Sequence, residues 1–277
     1  MAVGYINKIL NFSAVDGPGN RTVIFFQGCN FNCLYCHNPE TINFCSNCGK
    51  CYPACNSAAL TFENSKINYI EKNCTNCDNC TNICELFSSP KVKKTTVDEI
   101  FKSIEKTRPF ISGITFSGGE CTYQYNFLKS LLEESKKRNI SAFIDTNAYL
   151  DFEKMVEISK LFDKSMVDIK WFDDVIHKKL TGKSNELVLK NTKYLFSQKK
   201  VYEIRTVVFP HFHENELNIK KIAKFISEND KSVIYKIIGY RSFGVKNSEK
   251  YTEFDEKELT KYKFIAENEG CQNVIVK

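Results

Sequence analysis

Short runs of β-branched and aromatic residues alternate with longer amphipathic stretches over most of the chain. RTVIFFQ (residues 21–27), GITFS, SAFID, SMVDI, VYEIRTVVF and SVIYKII have the length and composition of buried strands. Residues near 124–139, 151–161, 184–198, 214–228 and 255–268 read as helices. A further helix is predicted in TTVDEIFKSIEKTR, where Thr96 and Glu99 stand at capping-box spacing. Six strand-and-helix units predict an α/β fold with a parallel sheet, as an open or closed barrel or a doubly wound sheet.

The pattern lapses from about residue 41 to 90, where Cys, Asn, Ser and Thr replace aliphatic residues. Such a segment builds little core without a covalent or metal staple. It reads as an insertion at 41–90 into one domain formed by 1–40 and 91–277.

Composition sharpens this picture. A 42% hydrophobic, 26% charged chain of 277 residues is that of a globular protein, which excludes disorder. The N-terminal segment lacks secretory features, and no apolar run approaches the roughly 18 residues of a membrane span. The expected location is the cytoplasm, with no membrane partner. Thiols stay reduced there, so 13 cysteines point to metal rather than disulfides. All but Cys121 and Cys271 lie between Cys29 and Cys84; those two lack a partner at ligand spacing and are assigned to structure.

Cys45, Cys48, Cys51 and Cys55 follow the spacing C-x2-C-x2-C-x3-C, and Cys74, Cys77, Cys80 and Cys84 repeat it. This is bacterial ferredoxin spacing, in which three cysteines hold one 4Fe-4S cluster and the fourth crosses to the other. Asn56 and Glu85 replace the usual proline, which shapes a turn and is no ligand. A pair of zinc knuckles is the alternative. A shorter group, Cys29-x3-Cys33-x2-Cys36, stops at three cysteines. A Cys3His zinc site would need His37, which adjoins Cys36 and is awkwardly placed to close the same tetrahedron; packing or hydrogen bonding is its expected role.

The three-cysteine loop, with Tyr35 before its last member, resembles the signature of the radical S-adenosylmethionine superfamily. The resemblance implies a cluster held at three irons, whose open iron is chelated by the amino and carboxylate groups of S-adenosylmethionine. SGGE at 117–120 resembles the motif that meets the methionyl amino group, implicating Gly118, Gly119 and Glu120. FSAVDGPGNRTVIFFQGCNFNCLYCHNPE, with DGPG at 16–19, resembles the start of glycyl radical enzyme activating enzymes with a ferredoxin-like insertion. The likeness continues through ISGITFSGGE, FIDTNAYL, VDIKWFDDVIHKKLTG and IRTVVFP.

What this resemblance implies is specific. The fold is a partial (β/α)6 TIM-like barrel, with candidate residues at the C-terminal ends of strands. Asp145, Thr146, Asp168 and the backbone of Met166 form a monovalent-cation site. Lys170 and Arg205 contact S-adenosylmethionine, and Asp16 meets the partner's glycine loop at the barrel mouth. Related activases place a histidine after an aromatic near the sixth strand; Tyr240-Arg241-Ser242-Phe243 departs from this, and Arg241 takes the position. Singly, Asp145 and Asp168 also fit strand-end caps, Lys170 a solvated surface charge, and Arg205 an ordinary ion pair.

The implied protein carries three 4Fe-4S clusters, one binding S-adenosylmethionine and two auxiliary. Its partners are a glycyl radical enzyme and a flavodoxin or ferredoxin-type electron donor. Clusters with charges of about −1, −2 and −2 would bring the formal +6 to roughly +1, removing the case for nucleic acid. A radical enzyme acting on another substrate, a plain electron carrier and a zinc-binding module are the competing classes.

Overall fold

The computed structural model describes residues 2–251, 254 and 256–277. Its strands are β1 (Val3–Ser13), β2 (Arg21–Phe26), β3 (Leu60–Glu63), β4 (Lys66–Tyr69), β5 (Lys93–Thr96), β6 (Gly113–Gly118), β7 (Ala142–Thr146), β8 (Lys164–Asp168), β9 (Val201–Val208), β10 (Ile234–Gly239) and β11 (Asn273–Val276). The helices are α1 (Asn79–Asn82), α2 (Val97–Glu105), α3 (Tyr125–Lys137), α4 (Phe152–Ser159), α5 (Asp174–Thr181), α6 (Glu186–Ser197), α7 (Asn215–Asp230) and α8 (Glu256–Asn268).

A nine-stranded sheet runs β11-β10-β9-β8-β7-β6-β2-β1-β5. From β2 through β6 to β10 all neighbours are parallel and follow chain order, so the sheet has no reversal point of the doubly wound kind. β1 and β5 extend it antiparallel beyond β2, and β11 extends it parallel beyond β10. Within the described residues the sheet is open, with β5 and β11 at its edges.

The six strands expected from the sequence are all present, and helices occupy the expected segments; residue 255, the first position expected in the last helix, lies outside the described residues. The capping box also forms. Glu99 N donates to Thr96 Oγ1 at 3.3 Å and Thr96 N to Glu99 Oε2 at 2.8 Å. Strands β1, β5 and β11 and helix α5 had no counterpart in the sequence reading. β1 hides because its apolar residues fall on both faces: Ile6 is buried, whereas Val3, Tyr5, Leu10 and Phe12 are exposed.

The main core packs α2, α3, α4, α6, α7 and α8 against the sheet through residues such as Phe101, Leu131, Ile158, Leu195, Ile222 and Tyr262. Arg21, at the start of β2, is buried and donates to Thr115 Oγ1 at 2.9 Å and Ile114 O at 2.7 Å. Thr115 Oγ1 in turn donates to the carbonyl of Asp16 at 2.6 Å, which fixes the DGPG segment at the N-terminal end of β2.

Residues 41–90 carry only the β3–β4 hairpin, the single turn α1 and short 3-10 turns. Their buried apolar cluster is Cys51, Leu60, Ile67 and Cys80. Half of this small core is cysteine, so its integrity depends on what the thiols hold.

Candidate functional site

The cysteine loop leaves the C-terminal end of β2. Asn32 N donates to Thr181 O at 2.9 Å and Leu34 N to Leu180 O at 3.0 Å, so the end of α5 backs the loop like an added strand. Cys36 N closes a turn on Cys33 O at 3.1 Å. Cys29, Cys33 and Cys36 are half-buried. Burial pushes all three thiols up, Cys33 to about 12; Cys36 adds to the rise of Cys33, and both add to that of Cys29. Three thiolates here need a cationic centre among them, and that donor set suits an iron–sulfur cluster.

The glycines of SGGE clasp the base of this loop. Gly118 has φ +121°, and a Cβ there would stand 2.1 Å from Phe26 N; one on Gly119 would stand 2.5 Å from Gly28 O. Gly119 N donates to Phe26 O at 3.0 Å and Glu120 N to Gly28 O at 2.9 Å. The close approach these glycines permit is to the backbone around β2's exit.

Glu120 is buried, and its carboxylate is met by four N–H and hydroxyl donors, with the Cys121 thiol 3.8 Å from Oε1. Oε1 accepts from Thr122 N, Thr122 Oγ1 and Thr146 Oγ1 at 3.0, 2.8 and 2.7 Å, and Oε2 accepts from Asn147 N at 2.7 Å. Burial raises its pKa while these donors pull it down. Asn147 Nδ2 also donates to Asn30 Oδ1 at 2.8 Å and reaches 4.0 Å from Cys29 Sγ, joining the end of β7 to the cysteine loop.

Asp145, Asp168, Lys170 and Arg205 form one charged layer. Asp168 pairs with Lys170 at 2.6 Å, and Arg205 Nη1 with Asp145 at 3.1 Å. Burial pushes Asp145 upward against the pull of Arg205. Burial also opposes the Lys170 charge, yet Asp168 holds that ammonium well above its ordinary value. Met166 lies opposite Asp145 in register, with its sulfur 2.9 Å from Arg205 Nη2. Asp145 and Asp168 thus already have cationic partners, and Thr146 turns its hydroxyl to Glu120.

Two residues of this layer escaped the sequence reading. Glu203 takes Arg205 Nε and also Lys236 Nζ, the latter at 2.7 Å. Lys236 is the register neighbour of Arg205. The period-2 spacing of Glu203 and Arg205 on one strand was the available signal.

Two expected site residues remain, Asp16 and Arg241. Asp16 precedes β2; Ser13 Oγ donates to its carboxylate and Thr115 Oγ1 to its carbonyl, and its charge is among those that push Asp145 upward. Arg241 is exposed, and its carbonyl lies 3.1 Å from His37 Nε2, which gives His37 the hydrogen-bonding role expected.

In the 41–90 segment, a cavity of about 240 Å³ is lined by Cys45, Cys48, Cys51, Cys80 and Cys84. A smaller one is lined by Cys55, Cys74, Cys77 and Cys80.

The model of the Radical SAM superfamily matches residues 23–226. The chain belongs to that superfamily. It is 31% identical to the (2S)-3-sulfopropanediol sulfolyase activating enzyme of Bilophila wadsworthia, covering 87% of this chain and 86% of the relative. It is also 31% identical to the trans-4-hydroxy-L-proline dehydratase activating enzyme of Clostridioides difficile, over 88% of this chain and 87% of that one. These relatives are glycyl radical enzyme activating enzymes, the group that the DGPG line resembles. The crystal structure of QueE from Escherichia coli superposes with a TM-score of 0.56 at 13% identity, covering 99% of this chain and 94% of QueE, and shares the fold.

Proposed function

We propose that this protein activates a glycyl radical enzyme. The observation that carries the reading is the three-cysteine loop, clasped by the Gly118–Gly119 turn and backed by α5, in a chain about 30% identical to activating enzymes over most of its length. A 4Fe-4S cluster held there would supply the one-electron reductive cleavage of S-adenosylmethionine to methionine and a 5′-deoxyadenosyl radical, the species that would take an α-hydrogen from a glycine of the partner.

The chain's own residues bind and orient. Cys29, Cys33 and Cys36 hold the cluster and leave one iron for the methionyl amino and carboxylate groups. Gly118, Gly119 and Glu120 border the amino group; Lys170, Arg205 and Arg241 are the contacts assigned to the rest of the cofactor. Asp145, Thr146, Met166 and Asp168 are the assigned ligands of a monovalent cation, which would displace the present partners of both carboxylates. Asp16, whose charge reaches Asp145, is assigned to the partner's glycine loop at the barrel mouth.

Residues 41–90 form a ferredoxin-like unit between 1–40 and 91–277, holding two auxiliary 4Fe-4S clusters. The cavity linings support crossed ligation, with Cys84 joining Cys45, Cys48 and Cys51, and Cys55 joining Cys74, Cys77 and Cys80. A ferredoxin or flavodoxin-type protein supplies the electron. The reading sets the reaction in the cytoplasm; among the described residues no helix is long and apolar enough to cross a membrane.

The test is release of 5′-deoxyadenosine from S-adenosylmethionine by the anaerobically reconstituted, dithionite-reduced protein. Release that vanishes in Cys33→Ala supports the reading, and a glycyl radical signal on an added glycyl radical enzyme from the same cell completes it. A protein that loads iron but gives neither product with that enzyme present is an electron carrier instead.

A further inference from the structure

The two cysteine cavities of the 41–90 segment differ in how they are tied to the cysteine loop. Gly28 N donates to Thr41 O at 2.7 Å, Cys29 N to Ile42 O at 2.9 Å, and Gln27 Nε2 to the carbonyls of Glu40 and Asn43 at 2.8 and 2.6 Å. Asn43 closes the other end of the segment: its N donates to Phe87 O and its Nδ2 to Leu86 O, both at 2.9 Å. The residues just before Cys45 and just after Cys84 are therefore pinned together at the base of the Cys29 loop. Cys45 and Cys84 line the same cavity. The cavity of Cys55, Cys74, Cys77 and Cys80 includes none of these tying residues.

A strap from the chain after β10 holds the same side. Arg241 O lies 3.1 Å from His37 Nε2, and Gly244, at φ +80°, packs so closely that a Cβ would stand 2.4 Å from His37 O. Val245 is buried with Tyr35 and Trp171. The next residue, half-buried Lys246, donates through Nζ to Thr81 O at 3.2 Å and Asn82 O at 2.7 Å, at the turn leading into Cys84. One short stretch thus grips both the neighbour of Cys36 and the approach to Cys84.

We propose that Lys246 is a positioning residue for electron entry, seating the Cys45–Cys48–Cys51–Cys84 site beside the Cys29 loop and lending it positive charge, so that this site is the proximal one. The inference rests on the two-cluster reading above. The proximal site is oxidised by one electron as the Cys29 loop's cluster is reduced by one. The distal site of Cys55, Cys74, Cys77 and Cys80 replaces that electron, drawing in turn on a one-electron protein donor of the ferredoxin or flavodoxin class. No bond or proton moves. A cation beside a cluster stabilises its more negative, reduced form, so Lys246 raises the proximal potential.

The experiment is an EPR-monitored redox titration of the reconstituted full chain and its Lys246→Met and Lys246→Arg variants, with iron counted in each. The expected result is about twelve irons in all three, one auxiliary signal moved to lower potential in Lys246→Met, and no shift in Lys246→Arg. The shift should persist in a Cys77→Ser background and disappear with Cys48→Ser. Lys246→Gln, which keeps a donor for the same carbonyls, serves if Lys246→Met loses iron. Unmoved potentials in an iron-replete, uncharged variant, or a shift that disappears with Cys77→Ser, overturn the inference and leave the two-cluster reading standing. Wild-type protein with only about four irons overturns both.

Discussion

Glu203 and Lys236 meet diagonally across adjacent parallel strands, with Lys236 Nζ 2.7 Å from Glu203 Oε2, and the same carboxylate holds Arg205 Nε. The carboxylate is 4% exposed and the two cations 14% and 17%, so water screens the group little. Glu203 orients Arg205 from below while Asp145 meets it from the side.

Removing the shared anion leaves two cations crowded in the interior. Glu203→Gln is expected to cost about 3–5 kcal/mol, the usual scale for breaking a buried pair. Thermal unfolding of the apo-protein checks this. Glu203→Gln/Lys236→Met should recover part of the loss, because the second change removes a stranded charge; a fully additive double variant would show that the two do not interact. Binding of S-adenosylmethionine to the reconstituted protein should weaken in Glu203→Gln, since Arg205 loses its orienting partner.

A second prediction concerns Gly119, where an added Cβ would meet Gly28 O at 2.5 Å and Thr41 O at 2.7 Å. Both are backbone atoms that cannot swing aside. Gly119→Ala should therefore push the base of the cysteine loop away from the start of the 41–90 segment, at about 1–3 kcal/mol. Gly239→Ala is the comparison, because its nearest contact at 3.1 Å is the flexible side chain of Leu259. Iron analysis and thermal melts should show Gly119→Ala losing iron and stability while Gly239→Ala keeps its iron and most of its stability.

Thr146 separates two roles offered to one hydroxyl. It donates to Glu120 at 2.7 Å and accepts from Ala148 N at 3.0 Å. Thr146→Val strands a buried carboxylate lone pair and an amide, at about 1–3 kcal/mol. Thr146→Ser should restore most of this loss. A cation-ligand role adds a further signature: weaker dependence of S-adenosylmethionine binding on potassium in Thr146→Val. Unchanged potassium dependence would assign the hydroxyl to Glu120 alone.

The legible parts of the sequence and the hidden ones differ for physical reasons. β6, β7 and β8 lie inside a parallel sheet, buried on both faces, and so appear as nearly continuous apolar runs. β5, KKTT, has no apolar residue; its pairing with β1 rests on the backbone. The cysteines announced their chemistry by spacing. Glu203 and Lys236 did not, because a charged residue in a strand reads as solvent-facing until register places two opposite charges on adjacent strands.

The 41–90 segment makes the most demanding prediction, because its buried apolar cluster is Cys51, Leu60, Ile67 and Cys80. A core that small stabilises little alone, and burial together with neighbouring Cys45 and Cys80 pushes the Cys51 thiol up to about 11, so without metal the site favours neutral thiols. The main sheet has a large apolar core of its own and is expected to stay folded without iron. Chelating iron from the reconstituted protein should therefore open residues 44–88 to limited proteolysis while the remainder resists, a case of local unfolding. Hydrogen exchange should lose protection in β3 and β4 and keep it in β6, β7 and β8. Equal protection of β3 and β4 with and without iron would show that the segment folds independently of its clusters.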